Sequence, residues 1–121
     1  MIEWKRVGTM REVFLVDRWA VKVPKVTRGW RNFLQGLLAN MQERELFARG
    51  WPQLCPVVFS VPCGWLVIMR RAQPLTEEFF DTFDREAFAE LEDGTFVPVE
   101  GKHSCYGMLD GRVVAVDYGS L

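Results

Sequence analysis

Two residues, Lys22 and Asp117, have the types and placement to handle a phosphate or its metal. Lys22 interrupts the apolar run Trp19-Ala20-Val21-Lys22-Val23, where an ammonium either snorkels to water or meets a defined anionic partner. Asp117 ends the apolar run Val113-Val114-Ala115-Val116 and is followed by Tyr118-Gly119. A carboxylate delivered there can hold a divalent metal on a phosphate, because Mg²⁺ prefers hard oxygen ligands; it can equally cap the strand or open a turn. Glu43 and Glu45 are the acidic residues of a long helical stretch, and a helical wheel does not decide which of them faces inward. Cys55, Cys63, His103 and Cys105 have zinc-ligand chemistry, but no CxxC or HxxxH spacing joins them.

The elements that must position these groups are legible in outline. Trp4 to Phe14 reads as a strand, a turn at Gly8-Thr9 and the start of a second strand that continues to Val16. Asp17-Arg18 turns the chain into a third strand, 19–23, stopped by Pro24, with Ala20, Lys22 and Pro24 on one face. Thr27 to Arg49 is expected to be helical with Gly50 as its stop, and Phe33, Leu34, Leu37, Leu38 and Met41 form the expected core-facing stripe. Pro56–Val61 and Trp65–Met69, joined by Pro62-Cys63-Gly64, predict an antiparallel hairpin. Thr76 predicts the N-cap of a helix running to about Glu92 that buries Phe79, Phe80, Phe83, Ala87, Phe88 and Leu91. A short strand 95–99 and a polar loop 100–107 follow, and Asp110-Gly111 signals a type I′ turn that folds Met108-Leu109 back on the last strand.

With 121 residues the chain is expected to form a single domain. Its 49% hydrophobic content excludes disorder, and no apolar run is long enough to span a bilayer. The N-terminus lacks the apolar stretch of a signal peptide, and three unpatterned cysteines suit reduced thiols, so a cytoplasmic location is expected. Residues 1–72 carry twelve Lys/Arg against five Asp/Glu, and residues 73–121 carry three against eleven. That asymmetry suits an anionic ligand or a dipolar surface that steers a partner, and it also suits two solvated faces. Nucleic-acid binding is not expected, because no helix shows a clustered Lys/Arg stripe.

In this order, these residues resemble the protein kinase-like fold. Trp19-Ala20-Val21-Lys22 is similar to the family's Val-Ala-Ile-Lys strand, and Asp117-Tyr118-Gly119 to its Asp-Phe-Gly metal-binding motif. Val7 to Val13 sits where the Gly-rich loop belongs but retains only Gly8, and Glu43 lies 21 residues after Lys22, close to the family's spacing for the glutamate that pairs with the lysine. The resemblance implies an α+β fold, with a five-stranded antiparallel sheet and one helix over residues 1–72. A truncated second lobe of one helix and short β-hairpins follows over 73–121.

It further implies ATP and Mg²⁺ as cofactors. Lys22 would orient the phosphates, Glu43 would hold the lysine, and Asp117 would hold the metal. Gly8 would approach the phosphates, and the backbone at Met69 and Arg70 would meet the adenine. At the positions of the family's catalytic aspartate and asparagine stand Glu100 and Cys105. Glutamate can accept a hydroxyl proton, whereas cysteine is too soft a ligand for Mg²⁺. The sequence ends two residues after Gly119, so the segments that carry peptide substrate in the family are expected to be missing. The expected function is a minimal, degenerate kinase-like domain with a remnant ATP/Mg²⁺ site and weak or no phosphotransfer. The alternative is a non-catalytic, pseudokinase-type module that docks on and regulates another protein, and a short aromatic-rich chain also suits homodimerisation.

Overall fold

A computed structural model describes residues 2–7, 11–27 and 29–118. The chain is a mixed α+β protein that divides into two compact units, Met1–Gly50 with Pro56–Arg71, and Trp51–Cys55 with Ala72–Leu121.

The first unit is an antiparallel sheet with one helix. Strands β2 (Arg11–Val16), β3 (Trp19–Pro24), β4 (Val57–Val61) and β5 (Leu66–Arg70) lie in the order β2-β3-β5-β4, and β1 (Ile2–Val7) pairs along the outer edge of β2. The β2–β3 turn places Asp17 at φ 52°, a left-handed conformation that Asp tolerates because its short side chain can bond locally. In register, Lys22 of β3 sits between Val13 of β2 and Val67 of β5, both buried, so its methylenes run between two apolar side chains.

Helix α1 (Trp30–Phe47) covers this sheet. It starts three residues later than expected, after Gly29 at φ 92°, and its last turn closes with Gly50 N–H donating to the Phe47 carbonyl at 3.0 Å. Of the expected core stripe only Phe33 and Leu37 are half-buried. The buried positions of α1 are Gly36, Ala39, Asn40 and Glu43, while Leu34, Leu38 and Met41 face solvent. The sheet face that α1 covers presents the buried cations Arg11 and Lys22, and those require a carboxylate and an amide more than they require leucine.

The β4–β5 hairpin turns through Pro62–Gly64. Gly64 has φ 76°, and a Cβ there would lie 2.1 Å from the Leu37 carbonyl oxygen, so the turn presses directly on the α1 backbone.

In the second unit β6 (Gln73–Pro74), β7 (Tyr106–Leu109) and β8 (Arg112–Ala115) form a three-stranded antiparallel sheet. Gln73-Pro74 is its edge strand. Asp110 and Gly111, at φ 51° and 83°, make the left-handed pair that a type I′ turn requires.

The single helix expected to reach Glu92 is two short ones, α2 (Glu77–Thr82) and α3 (Arg85–Ala89). Thr76 caps α2 by accepting from Phe79 N–H. The chain then turns extended at Phe83, and Asp84 caps α3 by accepting from Ala87 N–H at 3.0 Å. A mid-stretch aspartate competing as an N-cap accounts for the break. Phe80, Phe83 and Phe88 pack round buried Tyr106 with ring centroids 6.0, 5.4 and 5.6 Å away, whereas Phe79 and Ala87 are exposed. The expected strand 95–99 reduces to two isolated bridges, Glu90 with Phe96 and Val99 with Tyr118. No helix among the described residues is long and apolar enough to cross a membrane.

Candidate functional site

Strand parity and one helix turn assemble a buried charge cluster in the first unit. Lys22 sends its Nζ to both Glu43 carboxylate oxygens at 3.1 Å each. Arg11 grips the same carboxylate bidentately, Nη1 to Oε1 at 2.7 Å and Nη2 to Oε2 at 3.0 Å. Asn40, three residues before Glu43 and on the same helix face, accepts from Arg11 Nη1 at 3.0 Å. Its amide nitrogen donates to the carbonyls of Lys22 at 3.2 Å and Gly64 at 2.9 Å. Asn40 thereby ties β3, the β4–β5 turn and α1 to one point. Glu43 and Asn40 are fully buried, and Arg11 and Lys22 nearly so.

The electrostatics follow from that burial. Desolvation acts to raise the Glu43 carboxyl, and the adjacent Arg11 and Lys22 charges with their hydrogen bonds outweigh it, so it is held below the ordinary carboxylate range. Two cations, Arg11 and Lys22, share the Glu43 carboxylate.

The choice between Glu43 and Glu45 is settled by this geometry, since Glu45 is exposed. Arg11 and Asn40 are site residues that the sequence reading missed. The usable signals were parity, which puts Arg11 on the same face of β2 as Val13, and the three-residue spacing of Asn40 and Glu43.

The other expected site residues divide between the units. Gly8 lies outside the described residues, as does Gly119. Met69 is buried in β5, paired with Ala20. The backbone N–H of Arg70 donates to Pro56 O at 3.0 Å and that of Arg71 to Arg18 O at 2.7 Å, so both donors at this strand end are already engaged.

Glu100, Cys105 and Asp117 belong to the second unit. There the Val99–Tyr118 bridge sets residues 99–100 beside 117–118. Lys102 Nζ bonds Glu100 Oε2 at 3.0 Å at the surface. That bond, then the Glu100 charge, raises the Lys102 ammonium. Burial raises the Cys105 thiol, and the Asp117 and Glu100 charges push it further in the same direction. Asp117 and Glu100 are therefore electrostatic neighbours of a thiol held protonated.

Among the described residues no group of three or more His, Cys, Asp or Glu is placed to hold a metal ion. The donor set round Asp117 fits Mg²⁺ only in part, since Asp117 is a hard oxygen ligand, Glu100 is already bonded to an ammonium, and a protonated thiol is a poor one. Neither protein-family models nor curated proteins nor solved structures return a match to this chain.

Proposed function

We propose that the chain is a minimal, degenerate protein kinase-like domain that keeps a remnant nucleotide site and has weak or no phosphotransfer. The observation that carries this reading is the Lys22–Glu43 contact at 3.1 Å, a strand lysine held by a helix glutamate 21 residues later. In this reading Lys22 serves the nucleotide phosphates. Asp117 serves Mg²⁺, which when bound neutralises phosphate charge. The cytoplasm supplies the nucleotide.

Phosphotransfer is weak because the two positions that should carry it are compromised. Glu100, in the place of the base, accepts from Lys102, and Cys105, in the place of a metal ligand, is a buried thiol.

A second reading is a non-catalytic, pseudokinase-type module that docks on and regulates another protein. The exposed acidic residues of α2 and α3, Glu77, Glu78, Asp81 and Glu86, together with exposed Phe79, favour it.

Thermal unfolding with and without ATP and Mg²⁺ tests the proposal on wild type and Lys22→Met. Ligand at tenfold its Kd stabilises the folded state by about 1.4 kcal/mol, a midpoint shift of several degrees for a domain of this size. The proposal requires that shift in wild type and its loss in Lys22→Met. No shift at millimolar nucleotide rejects the nucleotide site and leaves the docking module.

A further inference from the structure

Helix α1 carries its apolar face outward. Trp30, Leu34, Leu38 and Met41 are 80%, 56%, 50% and 38% exposed, and their spacing of four, four and three residues makes one continuous stripe along the helix. This stripe lies opposite the buried face of Gly36, Ala39, Asn40 and Glu43. An open pocket of about 520 Å³, lined by Val26, Gly29, Trp30, Phe33 and Trp65, continues the apolar surface beyond the helix N-terminus. A contiguous apolar face of this kind marks an interaction surface.

The charges that flank the stripe identify its occupant. Arg31 and Glu45 lie on its Leu38 side, seven residues before and seven after Leu38, while Trp30 and Arg44 lie on its other side, eight before and six after. A two-fold axis at Leu38 that pairs two such helices antiparallel keeps each side of the stripe against the same side of the second copy and reverses its direction. Arg31 then faces the second copy's Glu45, twice by symmetry. Trp30 comes within about 3 Å, along the helix axis, of the level of the second copy's Arg44, which suits a cation–π contact. A parallel pair, whose two-fold axis runs along the helices, sets each side of the stripe against the opposite side of the second copy, so Arg31 meets Trp30 there and no carboxylate. Antiparallel packing is the orientation that gives Arg31 a carboxylate.

We propose that the outer face of α1 is a homodimer interface, in which a second copy of this chain packs antiparallel about Leu38 with Arg31–Glu45 pairs across the axis. This inference uses the face of α1 opposite Glu43 and stands independently of nucleotide binding.

The test is sedimentation equilibrium of the full chain over about 1–200 µM, with circular dichroism to verify the fold. Wild type is expected to dimerise within this range, and Leu38→Glu, which places a carboxylate on the axis at an exposed position of the monomer, to be monomeric throughout. Arg31→Glu and Glu45→Arg, each creating two like-charge contacts, are each expected to weaken the dimer about tenfold, and the double variant Arg31→Glu/Glu45→Arg to restore it. Both positions are exposed, so the charge swap keeps the test open even if Leu38→Glu fails to fold. A wild type that stays monomeric throughout, including one that instead binds anionic vesicles, overturns the proposal. So does a double variant as weak as the singles.

Discussion

Breaking the Arg11–Glu43–Lys22 cluster from its two sides should have very different consequences. Glu43→Gln keeps the shape of the side chain but removes the negative charge that both nearly buried cations contact. An uncompensated buried charge costs about 3–5 kcal/mol, most of a small domain's stability. Lys22→Met removes one cation instead. Its methylenes are replaced by a side chain of similar length between Val13 and Val67, and Glu43 keeps both hydrogen bonds from Arg11, at 2.7 and 3.0 Å. Because the desolvation penalty of the lysine leaves with it, the net cost should be about 1 kcal/mol or less.

Urea unfolding followed by tryptophan fluorescence measures both variants. Four of the five tryptophans, Trp4, Trp19, Trp30 and Trp65, belong to the first unit, so the signal reports mainly on the unit that holds the cluster. A Lys22→Met cost equal to or above that of Glu43→Gln would refute the reasoning, since it would mean that Arg11 alone does not satisfy the carboxylate.

Three further outcomes are expected. The folded-state carboxyl of Glu43 is lowered from its ordinary 4.5, so its contribution to stability is present above that value and is lost as pH falls through the lower folded value. An acid titration of the unfolding midpoint should show this limb in wild type and lack it in Glu43→Gln. Gly64→Ala should destabilise by about 2 kcal/mol or more in urea unfolding, because the new Cβ meets the Leu37 carbonyl and φ is 76°. Native-state thiol labelling should give one fast equivalent, Cys63, since Cys55 and Cys105 are buried and burial raises the Cys105 thiol. Three fast equivalents would contradict the packing of the second unit.

How much of this the sequence disclosed depends on whether local rules decided the outcome. The Asp110-Gly111 turn follows from backbone preference alone, whereas the Pro62-Cys63-Gly64 turn was marked by its proline and glycine but also sets Cys63 left-handed at φ 65°. Lys22 was conspicuous because a charge in an apolar strand demands a partner, and spacing pointed to Glu43 without excluding Glu45. The orientation of α1 was not legible. Hydrophobic periodicity places leucines inward by default, and the rule failed where the sheet offered two cations to be neutralised. Arg11 escaped notice because a buried arginine at the start of a strand has the same local signature as a solvated one. The break between α2 and α3 rested on Asp84 outcompeting a helical continuation, a contest that apolar spacing alone conceals.

The central claim is that Lys22 serves a nucleotide, and calorimetric titration of the full chain with ATP in excess Mg²⁺ tests it most directly. Wild type, Lys22→Met and Asp117→Asn should be compared after circular dichroism has established that all three are folded. The account predicts saturable binding in wild type, weakened at least about tenfold by Lys22→Met, with Asp117→Asn removing the dependence on Mg²⁺. Equal heats of binding in wild type and Lys22→Met, or no binding to wild type at millimolar ATP, would contradict it.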